Sequence, residues 1–206
     1  MHDNDSHLGY PGRQPCMSRT SNSKRYARRT DERPSARRRH LVSTRFQRIT
    51  PFLWFNDQAE EAANFYVSVF KNSRVLDSTR YAKEAAKASG KPEGSLMTIA
   101  FELDGQKFSA INGGPMFTFN PAVSLVVNCQ GQDEVDHYWN LLSKDGDPAA
   151  QQCGWLKDRY GLSWQVVPTQ LIELLTAADQ VKSQKAMQVL MTMKKIDLNA
   201  LLNAAN

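Results

Sequence analysis

Few side chains that carry chemistry occur in the main part of this 206-residue chain. Residues 46–206 contain one histidine, His137, inside a predicted helix where a solvated or packing role is expected. A catalytic zinc or iron site needs about three imidazole or carboxylate ligands. We therefore predict no metal and no cofactor. No histidine is placed to activate Cys129 or Cys153, so both thiols are expected to be buried and inert.

Aromatic side chains are the stronger candidates for contact with a ligand. Trp54 and Trp155 lie near predicted strand ends, where each can stack on a planar or apolar molecule or pack in the core. Trp164 is expected in the core, because strand alternation turns its neighbour Gln165 to the other face. Asp158, just before a predicted turn, could orient a polar ligand but more often such a residue holds the turn.

Two stretches of the chain carry the same pattern of elements. FLWFNDQAEEAANFY (52–66) and LVVNCQGQDEVDHYW (125–139) align at a constant offset, each with a strand followed by a helix with one apolar stripe. Each copy is predicted as strand–helix–strand–strand–strand, with a hairpin turn at Asp104-Gly105 in the first. The fold class is α+β. Two βαβββ modules form a half-open barrel with a central cleft.

Three local features complete the predicted elements. Asn56 or Asp57 is expected to cap the first helix. The second copy is expected to contain a short strand near Ala149–Cys153. Residues 179–204 are predicted as one amphipathic helix, within a C-terminal segment 177–206, that packs on its own domain or forms a dimer contact.

Several motifs together are typical of one family. They are RITPFLWF (48–55), AEEAANFYVSVF (59–70), FELDGQKFSAINGGP (101–115), VSLVVNC (123–129) and CGWLKDRYGLSWQVVP (153–168). The sequence resembles the PhnB-like branch of the vicinal oxygen chelate (VOC) superfamily over residues 46 to about 176, as modules 46–115 and 121–168. The resemblance implies paired βαβββ modules, often a homodimer, and a cleft where enzymatic members bind a divalent metal through His, Glu or Gln.

The resemblance also implies where metal ligands would stand, on the first and last strands of each module. The matching positions are Thr50 or Pro51, Val123 or Ser124, Asn112 (Ala110 or Ser109 in other registers), and Gln165. They offer amides and hydroxyls, which are weak ligands for zinc or iron. The predicted ligand-cleft residues are Trp54, Asn112, Ser124, Trp155 and Gln165.

Two functions follow as hypotheses. The first is metal-independent binding of a small molecule in the cleft between the modules. The alternative is a VOC-superfamily enzyme of lyase, transferase or oxygenase type, with or without a metal. Some members of the branch carry the name 3-demethylubiquinone-9 3-methyltransferase. A glycine-rich cofactor turn is not expected, because Gly113-Gly114 is followed by Pro115 and a loop.

The charge of the chain is concentrated at its beginning. Residues 1–45 hold 11 Lys and Arg against 4 Asp and Glu, whereas residues 46–206 hold 15 against 17. The first segment is therefore predicted to be a disordered basic tail. The near-neutral body argues against nucleic acid as a partner. Without an apolar run of membrane length or a secretory signal, we expect a cytoplasmic protein with no membrane contact, with a small-molecule ligand and a second copy as partners.

Overall fold

The computed structural model describes residues 46–206, which contain two βα modules followed by a helical segment. The predicted tail, residues 1–45, lies outside the described residues. The α+β class predicted from the sequence is confirmed. The first module contains β1 (Phe52–Phe55), α1 (Ala59–Val69), β2 (Arg74–Arg80), α2 (Lys83–Ser89), β3 (Leu96–Leu103) and β4 (Gln106–Asn112).

The first module forms a four-stranded sheet, sheet A, with strand order β1-β4-β3-β2. Strand β1 runs parallel to β4, and the other neighbours are antiparallel. Asp104 and Gly105 join β3 to β4 with φ angles of 44° and 83°. Positive φ at both central residues is what a tight two-residue hairpin requires, so the predicted turn is confirmed.

Helix α1 begins differently from the prediction. Neither Asn56 nor Asp57 caps it with a side chain; instead the Ala59 N–H donates to Asn112 Oδ1 at 2.8 Å. A residue 53 positions later thus satisfies the first turn of the helix. The predicted buried stripe is present, because Tyr66 and Val69 pack beneath sheet A.

The second module has one strand fewer than predicted. It contains β5 (Leu125–Cys129), α3 (Gln132–Leu142), β6 (Trp155–Lys157) and β7 (Ser163–Pro168), and its sheet, sheet B, has the order β5-β7-β6. The prediction of a strand near Ala149–Cys153 is wrong. Pro148–Ala150 is a short 3₁₀ helix, because Asp147 Oδ1 accepts from the Ala149 N–H at 2.9 Å, and only a single bridge joins Gln152 to Trp155.

The two modules pack against each other through the faces that their helices cover. The Tyr66 ring lies 5.4 Å from that of Trp164, and Phe70 stacks on Trp164 at 5.5 Å. Both modules contribute to one continuous hydrophobic core. Each sheet therefore turns its other face, which we call its open face, outwards. Within the described residues no strand pairing joins sheets A and B, and no closed barrel is formed.

Asp158 links the two modules inside this core and is 3% exposed. Its Oδ2 accepts from the Tyr66 hydroxyl at 2.7 Å and from Trp164 Nε1 at 2.8 Å. Its Oδ1 accepts from the backbone N–H groups of Tyr160 and Leu162. The carboxylate holds the predicted turn and also joins α1 to the β6–β7 hairpin.

The C-terminal segment is not the single helix predicted for residues 179–204. Helix α4 (Thr169–Thr176) precedes this segment, which contains α5 (Gln180–Leu190) and α6 (Leu198–Ala205). The break before α6 is fixed by Gln132, which donates to Ile196 O and accepts from the Leu198 N–H. Ile196 and Leu201 are buried in a second, smaller core against the end of sheet B. No helix in residues 46–206 combines the length and apolar character needed to cross a membrane.

We predict that Asp158→Ala lowers the free energy of unfolding by about 3 kcal/mol or more, because it leaves two buried donors, on Tyr66 and Trp164, without an acceptor. Chemical denaturation monitored by fluorescence measures this change. The matched control is Asp133→Ala, which removes an exposed carboxylate from the same module. Equal, small losses in both variants would contradict a linking role for Asp158.

Candidate functional site

Three of the five predicted cleft residues lie together on the open face of sheet B. Gln165 stands between Val126 and Trp155 in strand register. Its Nε2 donates to Ser124 Oγ at 2.8 Å. Trp155 and Gln165 are both partly exposed, and Val126 is 51% exposed. The group, which we call the Gln165 face, offers a fixed amide with an apolar wall on each side. Val126 was not singled out from the sequence, although strand alternation places it opposite Gln165.

Trp54 lies on the open face of sheet A, away from the Gln165 face. Its Nε1 donates to Gly114 O at 2.9 Å, and its ring meets that of Phe117 edge to face at 5.0 Å. A Cβ atom on Gly113 would stand 2.1 Å from the Trp54 indole, so only glycine fits there. The Gly113-Gly114 pair therefore covers an aromatic ring, and it does not open a helix as a cofactor turn would.

Asn112, one of the five predicted cleft residues, does not lie with the others on an open sheet face. It is 9% exposed and points to the helix side of sheet A. Its Oδ1 accepts from the Ala59 N–H, and its Nδ2 donates to Leu96 O at 3.4 Å. Both ends of the amide are thus used within the module. Asn112 is placed to hold the start of α1, and it cannot reach a ligand on the open face.

The positions that the VOC resemblance implies for metal ligands do not suit a transition metal. Thr50 accepts from Gln47, Asn112 is buried, and the Gln165 amide is bonded to Ser124. The strands of sheet B place no carboxylate or imidazole on the open face. Across residues 46–206, no three His, Cys, Asp or Glu side chains are arranged to hold a metal ion. We derive no metal-dependent step from this site.

The two cysteines of the described chain differ in their surroundings. Cys129 is fully buried, and burial, followed by the nearby Glu134 charge, raises the pKa of its thiol to about 12. A thiol held in that state is a poor nucleophile at neutral pH. Cys153 is partly exposed, which corrects the expectation that both are buried, and its Sγ lies 3.8 Å from Met191 Sδ. His137 is on α3 and contacts neither thiol; its Nε2 lies 3.4 Å from Val69 O.

The two paired modules have the arrangement of the VOC fold. The family described as 3-demethylubiquinone-9 3-methyltransferase matches residues 47–167. The chain belongs to this PhnB-like family of the VOC superfamily.

The solved structure of a related protein agrees with this assignment. A Bacillus cereus PhnB protein, whose description carries the same methyltransferase name, is 38% identical over 60% of this chain and 100% of its own, with a TM-score of 0.51. A Staphylococcus aureus protein is 28% identical over 59% of this chain and 95% of its own, at a TM-score of 0.27. The fosfomycin resistance protein FosX from Listeria monocytogenes is 15% identical over 62% of this chain and 93% of its own, with a TM-score of 0.40. No curated protein matches the chain.

We predict that alkaline pH destabilises the protein partly through Cys129. Because the native thiol keeps its proton to about pH 12 while an unfolded thiol releases it near pH 8.5, stability falls as pH rises between these values. Thermal melting at about pH 8 and about pH 10.5 should show a smaller drop in Cys129→Ala than in the parent. Identical drops in the two proteins would contradict this prediction.

Proposed function

We propose that the protein binds a small, flat, largely apolar molecule at the Gln165 face without using a metal. The observation that carries this proposal is the Gln165–Ser124 hydrogen bond between the side chains of Trp155 and Val126. Because Nε2 donates to Ser124, Oε1 of the same amide is left to accept from a ligand. The indole of Trp155 supplies a surface for stacking.

A second copy is part of the proposed site. The open faces of sheets A and B point outwards from one chain, so Trp54 and Gln165 cannot enclose the same ligand within it. Both faces carry exposed apolar residues, with Phe52 at 59% and Val126 at 51%. Placing sheet A of one copy over sheet B of another would bury these residues and create a cleft. We propose this homodimer, and the cytoplasm as its compartment, where the free Cys129 and Cys153 would stay reduced.

Methyl transfer is not what we propose, although the family description names it. A typical S-adenosylmethionine site has a glycine-rich turn between a parallel strand and a helix. The β1–α1 connection has no glycine, and the β5–α3 connection has Gly131 alone. The geometry of the Gln165 face favours binding over this chemistry.

The function is tested by metal analysis and ligand screening of protein purified without a histidine tag. We expect no stoichiometric transition metal, and a rise in melting temperature with flat, weakly polar molecules. Gln165→Ala should remove that rise, whereas Gln188→Ala, which removes an exposed amide from α5, should keep it. A stoichiometric metal that is lost in Gln165→Ala would overturn the proposal and favour the metal-assisted enzyme.

The dimer is tested by sedimentation of the parent and of two lysine variants. The parent should sediment as a dimer, and Val126→Lys should shift it to monomer because a charge would be buried in the contact. Val181→Lys is the matched control, since Val181 is 64% exposed on α5 and outside both open faces. A monomeric parent, or equal dissociation of both variants, would contradict the proposed contact.

A further inference from the structure

A concave surface lies between the two modules. Its lining includes none of the five predicted cleft residues, although it includes Val126. It has a volume of about 720 Å³ and runs between the β3–β4 hairpin of the first module and β5 with α3 of the second. We call it the intermodule groove. Small-molecule sites commonly have volumes of about 300–1,000 Å³ and often occur where two packed units meet. The groove therefore has the size and position of a ligand site.

Three aromatic rings form one wall of the intermodule groove. Tyr138 stacks on Phe70 with ring centres 5.1 Å apart and planes 22° apart, and Phe70 stacks on Trp164 at 5.5 Å and 28°. Trp164 is buried, whereas Tyr138 is only partly buried. The stack is fixed from inside by the core, so Tyr138 is held in place as the outermost ring.

The charged side chains that line the intermodule groove are all negative. Among residues 46–206, its lining includes the carboxylates of Asp104 and Glu134 and no Lys, Arg or His. Both carboxylates line the same groove as Tyr138. Burial raises the pKa of the Tyr138 hydroxyl, and the charges of Glu134 and Asp104 raise it further. Glu134 Oε2 accepts from the Gln130 N–H at 2.8 Å, and Asp104 Oδ1 accepts from Asn72 at 3.3 Å. Within the described chain, the second oxygen of each carboxylate accepts no hydrogen bond.

We propose that the intermodule groove binds a small organic cation with a flat apolar body, such as an aromatic amine. The ammonium group would lie between Asp104 and Glu134, and the body would pack on Tyr138, whose ring also attracts a cation. An anion is disfavoured by both carboxylates. This site shares Val126 with the Gln165 face, but it does not depend on the function proposed there.

The test uses the full chain and three probes of nearly the same shape: phenethylamine, 2-phenylethanol and 3-phenylpropionate. Titration followed by calorimetry and by amide NMR shifts should show phenethylamine binding at β5, α3 and the β3–β4 hairpin. The alcohol should bind more weakly, and the carboxylate should not bind. Glu134→Gln keeps the acceptor for Gln130 but removes the charge, so it should weaken phenethylamine binding roughly tenfold.

Two controls separate this proposal from simpler explanations. Asp133→Asn removes an exposed carboxylate next to Glu134 on α3 and should leave binding unchanged. Gln165→Ala, which should abolish ligand binding at the Gln165 face, should also leave phenethylamine binding unchanged. The proposal is overturned if amine and alcohol bind equally, if Glu134→Gln has no effect, or if the amine binds only after a dimer dissociates, which would make the groove a contact between copies.

Discussion

The buried carboxylate of Asp158 is the interaction on which the arrangement of the two modules depends. Burial raises its pKa, and its four hydrogen bonds act in the opposite direction by favouring the charged form. Two of these bonds shape the β6–β7 turn, and the other two come from Tyr66 on α1 and Trp164 on β7. Apolar packing alone would hold the modules together in many orientations. A buried group that needs specific donors limits them to the one in which Tyr66 and Trp164 meet.

This orientation determines where the protein can bind other molecules. With the helix-covered faces joined, the exposed surfaces are the two open faces and the seam between the modules. The Gln165 face carries apolar side chains and a neutral amide, whereas the seam carries Asp104 and Glu134. The proposed ligands therefore differ, one neutral at the Gln165 face and one cationic at the seam. The exposure of the two open faces and the formation of the seam both follow from the packing of α1 against sheet B.

The sequence predicts those features that depend on neighbouring residues. The Asp104-Gly105 turn, the apolar stripe of α1 and the outward side of Gln165 all follow from local patterns, and the structure has them. The role of Asn112 could not be predicted, because its partner Ala59 is 53 residues away and only the folded sheet brings them together. The break in the C-terminal segment could not be predicted for the same reason, because the hydrogen bonds at that point come from Gln132, which is distant in sequence. The helix-forming residues there do lie in helices, but the prediction of one continuous helix is wrong.

The amide at Gln165 has a clearer chemical meaning in the structure than in the sequence. Taken alone, glutamine at the end of a last strand is compatible with a weak metal ligand or with a hydrogen-bonding group. Its Nε2 is committed to Ser124, which fixes the direction of Oε1 without any charge. A metal ion would gain one neutral oxygen there and no anionic partner on the strands of the same sheet. A ligand that presents an N–H or O–H group beside a flat apolar surface would gain a hydrogen bond and the contact with Trp155 together. The surroundings of Gln165 therefore support the proposed recognition of a neutral molecule rather than a role as a metal ligand.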